Sequence, residues 1–127
     1  MGSVDDWQRE VHAAVRASQA AGVRACTDGA LVADVDHASR SSLDAAGWLD
    51  RFTTGLGHGV GLVIHEDPFI ASGHAGRLVP RTVLTVEPGI YVPGRGGVRI
   101  EDTVLVRSAP DTPEVLTPLT TDLLEIA

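Results

Sequence analysis

The chain has 127 residues, a length that suits one domain with a single hydrophobic core. Acidic residues outnumber basic ones by 17 to 10, and the formal net charge of −7 argues against the clustered Lys and Arg of a nucleic-acid-binding surface. No apolar run reaches membrane-spanning length and no signal pattern opens the chain, so we expect a cytoplasmic protein that binds neither membrane nor nucleic acid.

The first third of the chain predicts two helices. Asp5 is the expected N-cap of the first helix, with Gln8 three residues later as its capping-box partner. Apolar and small residues then recur at helical spacing from Trp7 onward, and Gly22 is the expected stop.

A turn with one notable residue separates the helices. Cys26 is the single cysteine of the chain, so an internal disulfide is excluded and a reducing compartment is indicated. We interpret Cys26 as a small residue before a turn rather than a nucleophile, since no histidine is near it in sequence. Asp34 is the expected cap of the second helix, and Gly47 is the expected end of it.

From residue 51 onward, short apolar runs divided by Gly and Pro predict β-strands. The predicted strands cover residues 60–64, 82–86, 90–92, 98–106 and 114–116. Residues 93–97, Pro-Gly-Arg-Gly-Gly, are typical of a hairpin turn between the third and fourth of these strands. Helices come first and strands follow without alternation, so the predicted class is α+β with a mainly antiparallel sheet.

Two histidines and two glutamates fall in the apolar, Gly-flanked segments of the strand region. They are His58, His65, Glu87 and Glu101. Imidazole and carboxylate groups bind borderline and hard metal ions, so these residues form a candidate metal site.

The spacing of these residues leaves alternatives open. His58 and His65 are an odd number of residues apart, so a regular strand would point them to opposite faces unless its glycines kink it. Taken alone, His58 also fits a hydrogen-bonded core histidine. Arg99 and Glu101 share a face of their predicted strand, which favours a solvated Arg–Glu pair that contributes little stability.

Three segments resemble the signature segments of the pita-bread (M24) metallopeptidases. These segments are residues 58–66, 85–91 and 97–102. That family includes methionine aminopeptidases, Xaa-Pro aminopeptidases, prolidases and creatinases. The phrases Glu-Pro-Gly-Ile-Tyr and Gly-Gly-Val-Arg-Ile-Glu-Asp are most similar to the Xaa-Pro aminopeptidase and prolidase branch. The resemblance extends over nearly the whole chain and implies a partial pita-bread fold and hydrolysis of peptides with an N-terminal Xaa-Pro bond.

The resemblance also implies a role for each candidate residue. His58, Glu87 and Glu101 correspond to three ligands of a two-metal site that takes Mn²⁺, Co²⁺ or Zn²⁺, and Glu101 bridges the two ions. Glu87 would also carry a proton during the reaction. His65 corresponds to a histidine that contacts the substrate and stabilises the oxyanion, and Arg99 to an arginine that supports the site.

The family takes two further aspartate ligands from a β-hairpin that precedes the first helix, and this sequence starts almost at that helix. Asp34 and Asp36 are expected to cap the second helix rather than to replace those ligands. Thr54 also departs from the pattern of the branch, which usually has histidine there. We therefore expect residues 1–127 to form a single partial catalytic domain whose site holds one ion or none.

Two functional hypotheses follow. The first is an Xaa-Pro aminopeptidase-like or dipeptidase-like domain with impaired activity, whose substrate is a peptide with an N-terminal Xaa-Pro bond. The second is a non-catalytic, truncated remnant that acts through association. Sheet edges that lack their neighbouring strands favour either association with another chain or poor stability, so we expect a homodimer, and the second hypothesis predicts a dimer whose interface covers the exposed sheet edge.

Overall fold

The computed structural model describes residues 3–126 of the chain. Two helices come first, α1 (Asp6–Ala25) and α2 (Val32–Ala45), and a 3₁₀ turn (Leu49–Arg51) follows them. The strands are β1 (Gly57–Gly59), β2 (Glu66–Ile70), β3 (Val83–Val86), β4 (Gly89–Val92), β5 (Gly96–Arg99), β6 (Asp102–Leu105) and β7 (Glu114–Val115). This order confirms the predicted α+β class. None of the helices in the described part of the chain is long and apolar enough to cross a membrane.

Helix α1 begins as predicted and ends later than predicted. The Gln8 side chain accepts the backbone N–H of Asp5 at 2.8 Å, which is one hydrogen bond of the expected capping box. The predicted stop at Gly22 is wrong, because α1 continues to Ala25 and Gly22 is buried within it. A Cβ atom on Gly22 would lie 2.9 Å from Cγ1 of Val86, so this glycine lets the helix pack closely on the sheet.

Helix α2 shows that neither predicted aspartate is a cap. The N-cap is Leu31, and Asp34 lies in the first turn, where its charge interacts favourably with the helix dipole. Asp36 lies further along α2, where it is buried and pairs with Arg40. Gly47 follows the C-cap with a φ of 75°, a left-handed conformation that favours glycine and confirms the predicted end of the helix.

The strands form a five-stranded sheet and a separate hairpin. The five-stranded sheet has the order β2-β1-β3-β6-β7 and all its pairs are antiparallel. The hairpin pairs β4 with β5 around residues 93–95, which confirms the predicted turn. The single predicted strand 98–106 is wrong, because β5 ends at Arg99 and β6 begins at Asp102.

The chain crosses between the two sheets at two neighbouring places. It leaves the main sheet at Glu87 and Pro88 and returns to it at Ile100 and Glu101. Proline has no N–H to donate to a ladder, so β3 ends before Pro88. The backbone N–H of Ile100 donates to the Pro88 carbonyl at 3.4 Å, which joins the two crossings.

The predicted buried strand at residues 60–64 is wrong. Strand β1 ends at Gly59, and residues 61–65 form a bend whose apolar side chains are exposed, with Leu62 at 102%. The Glu66 carboxylate closes this bend by accepting the N–H of Val63 at 3.1 Å, and a Cβ atom on Gly61 would overlap that carboxylate. An apolar run flanked by glycines predicted a strand, but the glycines permit a turn at the same place.

The core lies between the two helices and the main sheet. Its fully buried side chains come from both layers, and among the largest are Leu43, Leu56, Ile70, Leu78, Leu84, Ile90, Val11 and Val15. The hairpin turn is also attached to the helical layer, since the Arg95 guanidinium lies 4.4 Å from the centre of the Trp7 ring.

Candidate active site

In strand β1, His58 lies between two glycines, and the neighbouring strands leave no room for a side chain at either of them. A Cβ atom on Gly57 would overlap the Thr85 carbonyl, and one on Gly59 would overlap the Asp67 carbonyl. The glycines therefore allow β3 and β2 to approach β1 closely on either side. This packing leaves the His58 side chain only 13% exposed.

The two ring nitrogens of His58 have different partners. Nδ1 lies 3.0 Å from the Gly59 carbonyl oxygen, and Nε2 lies 3.2 Å from Oε1 of Glu87. A carbonyl oxygen only accepts hydrogen bonds, so Nδ1 is the donor to Gly59, and Nε2, which faces the Glu87 carboxylate, is the nitrogen that a cation held between the two side chains would bind. Histidines that bind metals through one nitrogen commonly donate the other N–H to a backbone carbonyl in this way.

Glu87 is held in place by its own strand and by the loop before β1. The Thr85 hydroxyl donates to Oε1 of Glu87 at 3.0 Å and also accepts a hydrogen bond from the backbone N–H of His58 at 3.1 Å. The Glu87 N–H donates to the Leu56 carbonyl at 2.7 Å. Sequence analysis did not identify Thr85 as a site residue. Its position two residues before Glu87, on the same face of an extended strand, is the signal that points to it.

Arg99 connects the two candidate carboxylates. Its Nη1 lies 3.6 Å from Oε2 of Glu87, and its Nη2 lies 3.5 Å from Oε2 of Glu101. The Arg99 and Glu101 side chains are 52% and 41% exposed, so the solvated Arg–Glu pair that their spacing favoured is present. Glu101 lines a cleft of about 560 Å³ beyond Arg99, whereas Arg99 lines this cleft and the His58 pocket.

The bend at residues 61–65 brings the His65 ring into contact with the His58 ring. The two imidazole rings are perpendicular, with their centroids 4.5 Å apart and an interplanar angle of 75°. The glycine kink that the sequence left open therefore occurs. The pocket between these residues has a volume of about 270 Å³ and is lined by Thr54, Gly55, Gly57, His58, His65, Phe69, Glu87 and Arg99. No sequence signal indicated Phe69.

The donors fit a divalent cation in part. His58 and Glu87 present an imidazole nitrogen and a carboxylate at one point, a donor set suited to zinc, manganese or cobalt. Glu101 does not join them and pairs instead with Arg99, whose guanidinium also pairs with Glu87. Residues 3–126 accordingly contain no group of three or more His, Cys, Asp or Glu side chains arranged to hold a metal ion.

A comparison with known protein families identifies the family of this chain. The model of metallopeptidase family M24 matches residues 1–108. The chain belongs to metallopeptidase family M24. The resemblance found in the three sequence segments is therefore confirmed, and this member of the family is a peptidase-like domain with two candidate donors in contact.

Curated M24 relatives share this sequence over much of its length. The chain is 43% identical over 106 residues to an Xaa-Pro dipeptidase of Pyrococcus furiosus, a match that covers 84% of the chain and 30% of the relative. It is 40% identical over 106 residues to the probable dipeptidase PepE of Mycobacterium tuberculosis, which covers 84% of the chain and 28% of that protein. The chain thus spans less than a third of the length of either relative.

Solved structures of M24 peptidases confirm the fold. The prolidase from Pyrococcus furiosus superposes with a TM-score of 0.89 at 40% identity, over 94% of this chain and 35% of that one. The dipeptidase PepE from Mycobacterium ulcerans superposes with a TM-score of 0.93 at 35% identity, over 98% and 33%. This M24 chain therefore has part of the pita-bread fold, as predicted.

Proposed function

We propose that this chain carries part of a metal-dependent peptidase site for peptides with an N-terminal Xaa-Pro bond. The observation that carries the proposal is the His58–Glu87 pair. Nε2 of His58 faces a carboxylate oxygen at 3.2 Å, while Nδ1 is committed to a backbone carbonyl. The substrate class is supported by the Xaa-Pro dipeptidase and prolidase relatives.

Each residue of the pocket would have a different role in the reaction. A divalent metal ion, when bound, supplies an activated water at neutral pH and polarises the scissile carbonyl. His58 and Glu87 would hold the ion, and the Thr85 hydroxyl orients the Glu87 carboxylate for that role. Glu87 would also accept a proton from the attacking water. His65, whose ring contacts that of His58, would donate a hydrogen bond to the substrate carbonyl oxygen.

The ligand set in these residues is incomplete by the family resemblance. Three of the five implied ligand positions are His58, Glu87 and Glu101, and in this structure Glu101 pairs with Arg99 instead of facing His58. We therefore propose that residues 1–127 by themselves bind one Mn²⁺, Co²⁺ or Zn²⁺ ion weakly. Peptide hydrolysis by these residues alone would be correspondingly impaired.

A second candidate function is association without catalysis. The bend after β1 exposes Leu62 at 102%, Val63 at 61% and Ile64 at 79%. A contiguous exposed apolar segment of this kind is typical of an interaction surface. In this alternative the chain is a homodimer or a partner of another chain, and its pocket performs no chemistry.

Two measurements on the purified chain test these proposals. We expect isothermal titration calorimetry with Mn²⁺, Co²⁺ and Zn²⁺ to show one weak site, and an Xaa-Pro dipeptide to be hydrolysed slowly in the presence of at least one ion. A folded sample that binds an ion but hydrolyses nothing would overturn the peptidase proposal. A folded sample that binds none of the three ions would leave only association.

A further inference from the structure

Arg40 of α2 lies outside the pocket, yet all three of its guanidinium nitrogens donate hydrogen bonds. Nε donates to Oδ2 of Asp36 at 2.7 Å, Nη1 to the Phe52 carbonyl at 3.3 Å, and Nη2 to the Thr54 carbonyl at 2.7 Å. The guanidinium carbon also lies 4.4 Å from the centre of the Phe52 ring. One side chain thus joins α2 to two carbonyls of the loop that leads into β1.

Asp36 is placed to orient this arginine. Its side chain is 1% exposed and sits four residues before Arg40, on the same face of α2. Oδ1 is buried without a hydrogen-bond partner among residues 3–126, so Arg40 alone compensates the carboxylate. A buried ion pair with an unsatisfied oxygen contributes little to stability, because desolvation offsets the attraction between the charges. Stability is therefore a poor explanation for the pair.

The loop that Arg40 holds leads directly to the candidate site. Thr54 and Gly55 line the pocket of His58. The next residue, Leu56, accepts the Glu87 N–H at 2.7 Å and donates its own N–H to the Ile70 carbonyl at 2.7 Å. The Thr54 carbonyl, which Arg40 binds, is therefore only two residues before the Leu56 carbonyl, which accepts the Glu87 N–H.

We propose that Asp36 and Arg40 are positioning residues that clamp residues 52–56, and through them set the pocket wall and the Glu87 backbone. The clamp itself rests on the contacts of residues 36, 40, 52, 54 and 56. Its consequence for metal binding rests on the proposed function. The two are therefore tested by separate readouts on the same samples.

Amide hydrogen exchange of the whole chain, followed by NMR, tests the clamp. Replacing Arg40 alone would strand the buried Asp36 charge, so the main variant is Asp36→Asn with Arg40→Gln, which removes both charges together. We expect the Leu56 and Glu87 amides to exchange at least about tenfold faster, with amides of the α1 core unchanged. Arg16→Gln is the matched control, since it removes an arginine whose pair with Asp122 is exposed. It should leave the Leu56 and Glu87 amides at the wild-type rate.

Mn²⁺ alone is the probe for the consequence at the site. We expect its affinity to fall about tenfold in the double variant and to stay at the wild-type value in Arg16→Gln. If the wild-type chain binds no Mn²⁺, the proposed metal site fails, while the exchange rates still decide the clamp. Unchanged exchange at Leu56 and Glu87 in a folded double variant would overturn the clamp.

A variant that keeps the charge covers the case in which the double variant does not fold. Arg40→Lys leaves a cation beside Asp36 but cannot reach three acceptors at once. It should therefore give the same local acceleration at Glu87. Wild-type exchange at Glu87 in Arg40→Lys, or faster exchange throughout the core in place of a local effect, would contradict the proposal.

Discussion

Nε2 of His58 lies 3.2 Å from Oε1 of Glu87, and the two side chains come from the middle of β1 and from the residue that directly follows β3. The contact forms across the main sheet, at the point where Pro88 ends the β3 ladder. Both side chains are at least 85% buried, so the pair lies in an environment where charges are only weakly screened by solvent.

Glu87→Gln should remove cation binding while preserving the fold. The amide has the shape of the carboxylate but lacks its charge, so we expect the Mn²⁺ affinity of the chain to fall at least about tenfold by isothermal titration. Glu114→Gln is the control, since it removes an exposed carboxylate paired only with Arg107. Equal Mn²⁺ binding by both variants would show that Glu87 is not a ligand.

Thr85→Val should weaken the same site from within the sheet. Valine has nearly the shape of threonine but offers no hydroxyl to Glu87 and no acceptor to the His58 N–H. We expect the free energy of unfolding, measured in urea, to fall by about 1–3 kcal/mol, because the His58 N–H loses its acceptor. Thr82→Val is the matched control on the same segment. A loss no larger than that of the control would contradict the role given to Thr85.

Gly57→Ala should be strongly destabilising. The added methyl group would overlap the Thr85 carbonyl, a backbone atom that cannot move without breaking the pairing of β1 with β3. We expect a loss of about 3 kcal/mol or more in the free energy of unfolding. Gly29→Ala is the control for backbone strain without a steric overlap, since Gly29 has a φ of 79° and open space around it. This variant should lower the free energy of unfolding by only about 1 kcal/mol. Similar losses in the two variants would show that β3 yields to the methyl group.

The helices and the hairpin were predictable because their signals are local. The cap at Asp5, the left-handed Gly47 and the hairpin turn at 93–95 each follow from a few neighbouring residues. Gly22 was misjudged because a glycine that ends a helix and a glycine buried under a sheet look the same in sequence. Only the contact with Val86 distinguishes them.

The candidate site was predictable in its residues and not in its arrangement. Family signatures pointed to His58 and Glu87, which the structure brings together. The position of Arg99 between the two carboxylates depends on where β5 ends, and strand ends were the weakest part of the prediction. The clamp by Arg40 joins elements that are distant in sequence, so no local pattern indicates it.

Cys26 should be unreactive in the folded chain. Burial raises the pKa of its thiol to about 12, and only the thiolate reacts with disulfide reagents. We expect reaction with such a reagent at pH 8 to be at least about 100-fold slower than in denaturant, followed by absorbance of the released thiolate. Fast reaction without denaturant would show that the environment of Cys26 opens readily.

The same burial predicts a pH dependence of stability. Above the ordinary thiol value of 9.0, the unfolded chain releases the Cys26 proton while the folded chain keeps it. The unfolded state then binds fewer protons, so the free energy of unfolding should decrease as the pH rises from 9.0 towards about 12. Cys26→Ala removes this thiol. A urea titration series should show a shallower decrease for the variant, and identical slopes would refute the assignment.

Self-association through the bend after β1 can be tested by placing a charged side chain in it. We expect sedimentation to show a homodimer, and Leu62→Asp to shift it towards monomer, since a charge on an apolar contact surface must be desolvated for association. Leu119→Asp is the control, because Leu119 is an equally apolar residue of the C-terminal segment and is 82% exposed. A monomeric wild-type chain, or an equal shift in both variants, would rule out this surface.

The two crossings between the sheets give the hairpin a second role. Glu87 stands where the chain leaves the main sheet, and Glu101 stands where it returns. The two carboxylates therefore flank the base of the hairpin, where the Ile100 N–H donates to the Pro88 carbonyl at 3.4 Å. The far end of the hairpin contacts α1 through Arg95 on the Trp7 ring, so the hairpin that joins the two acidic groups is attached at its turn as well as at its base.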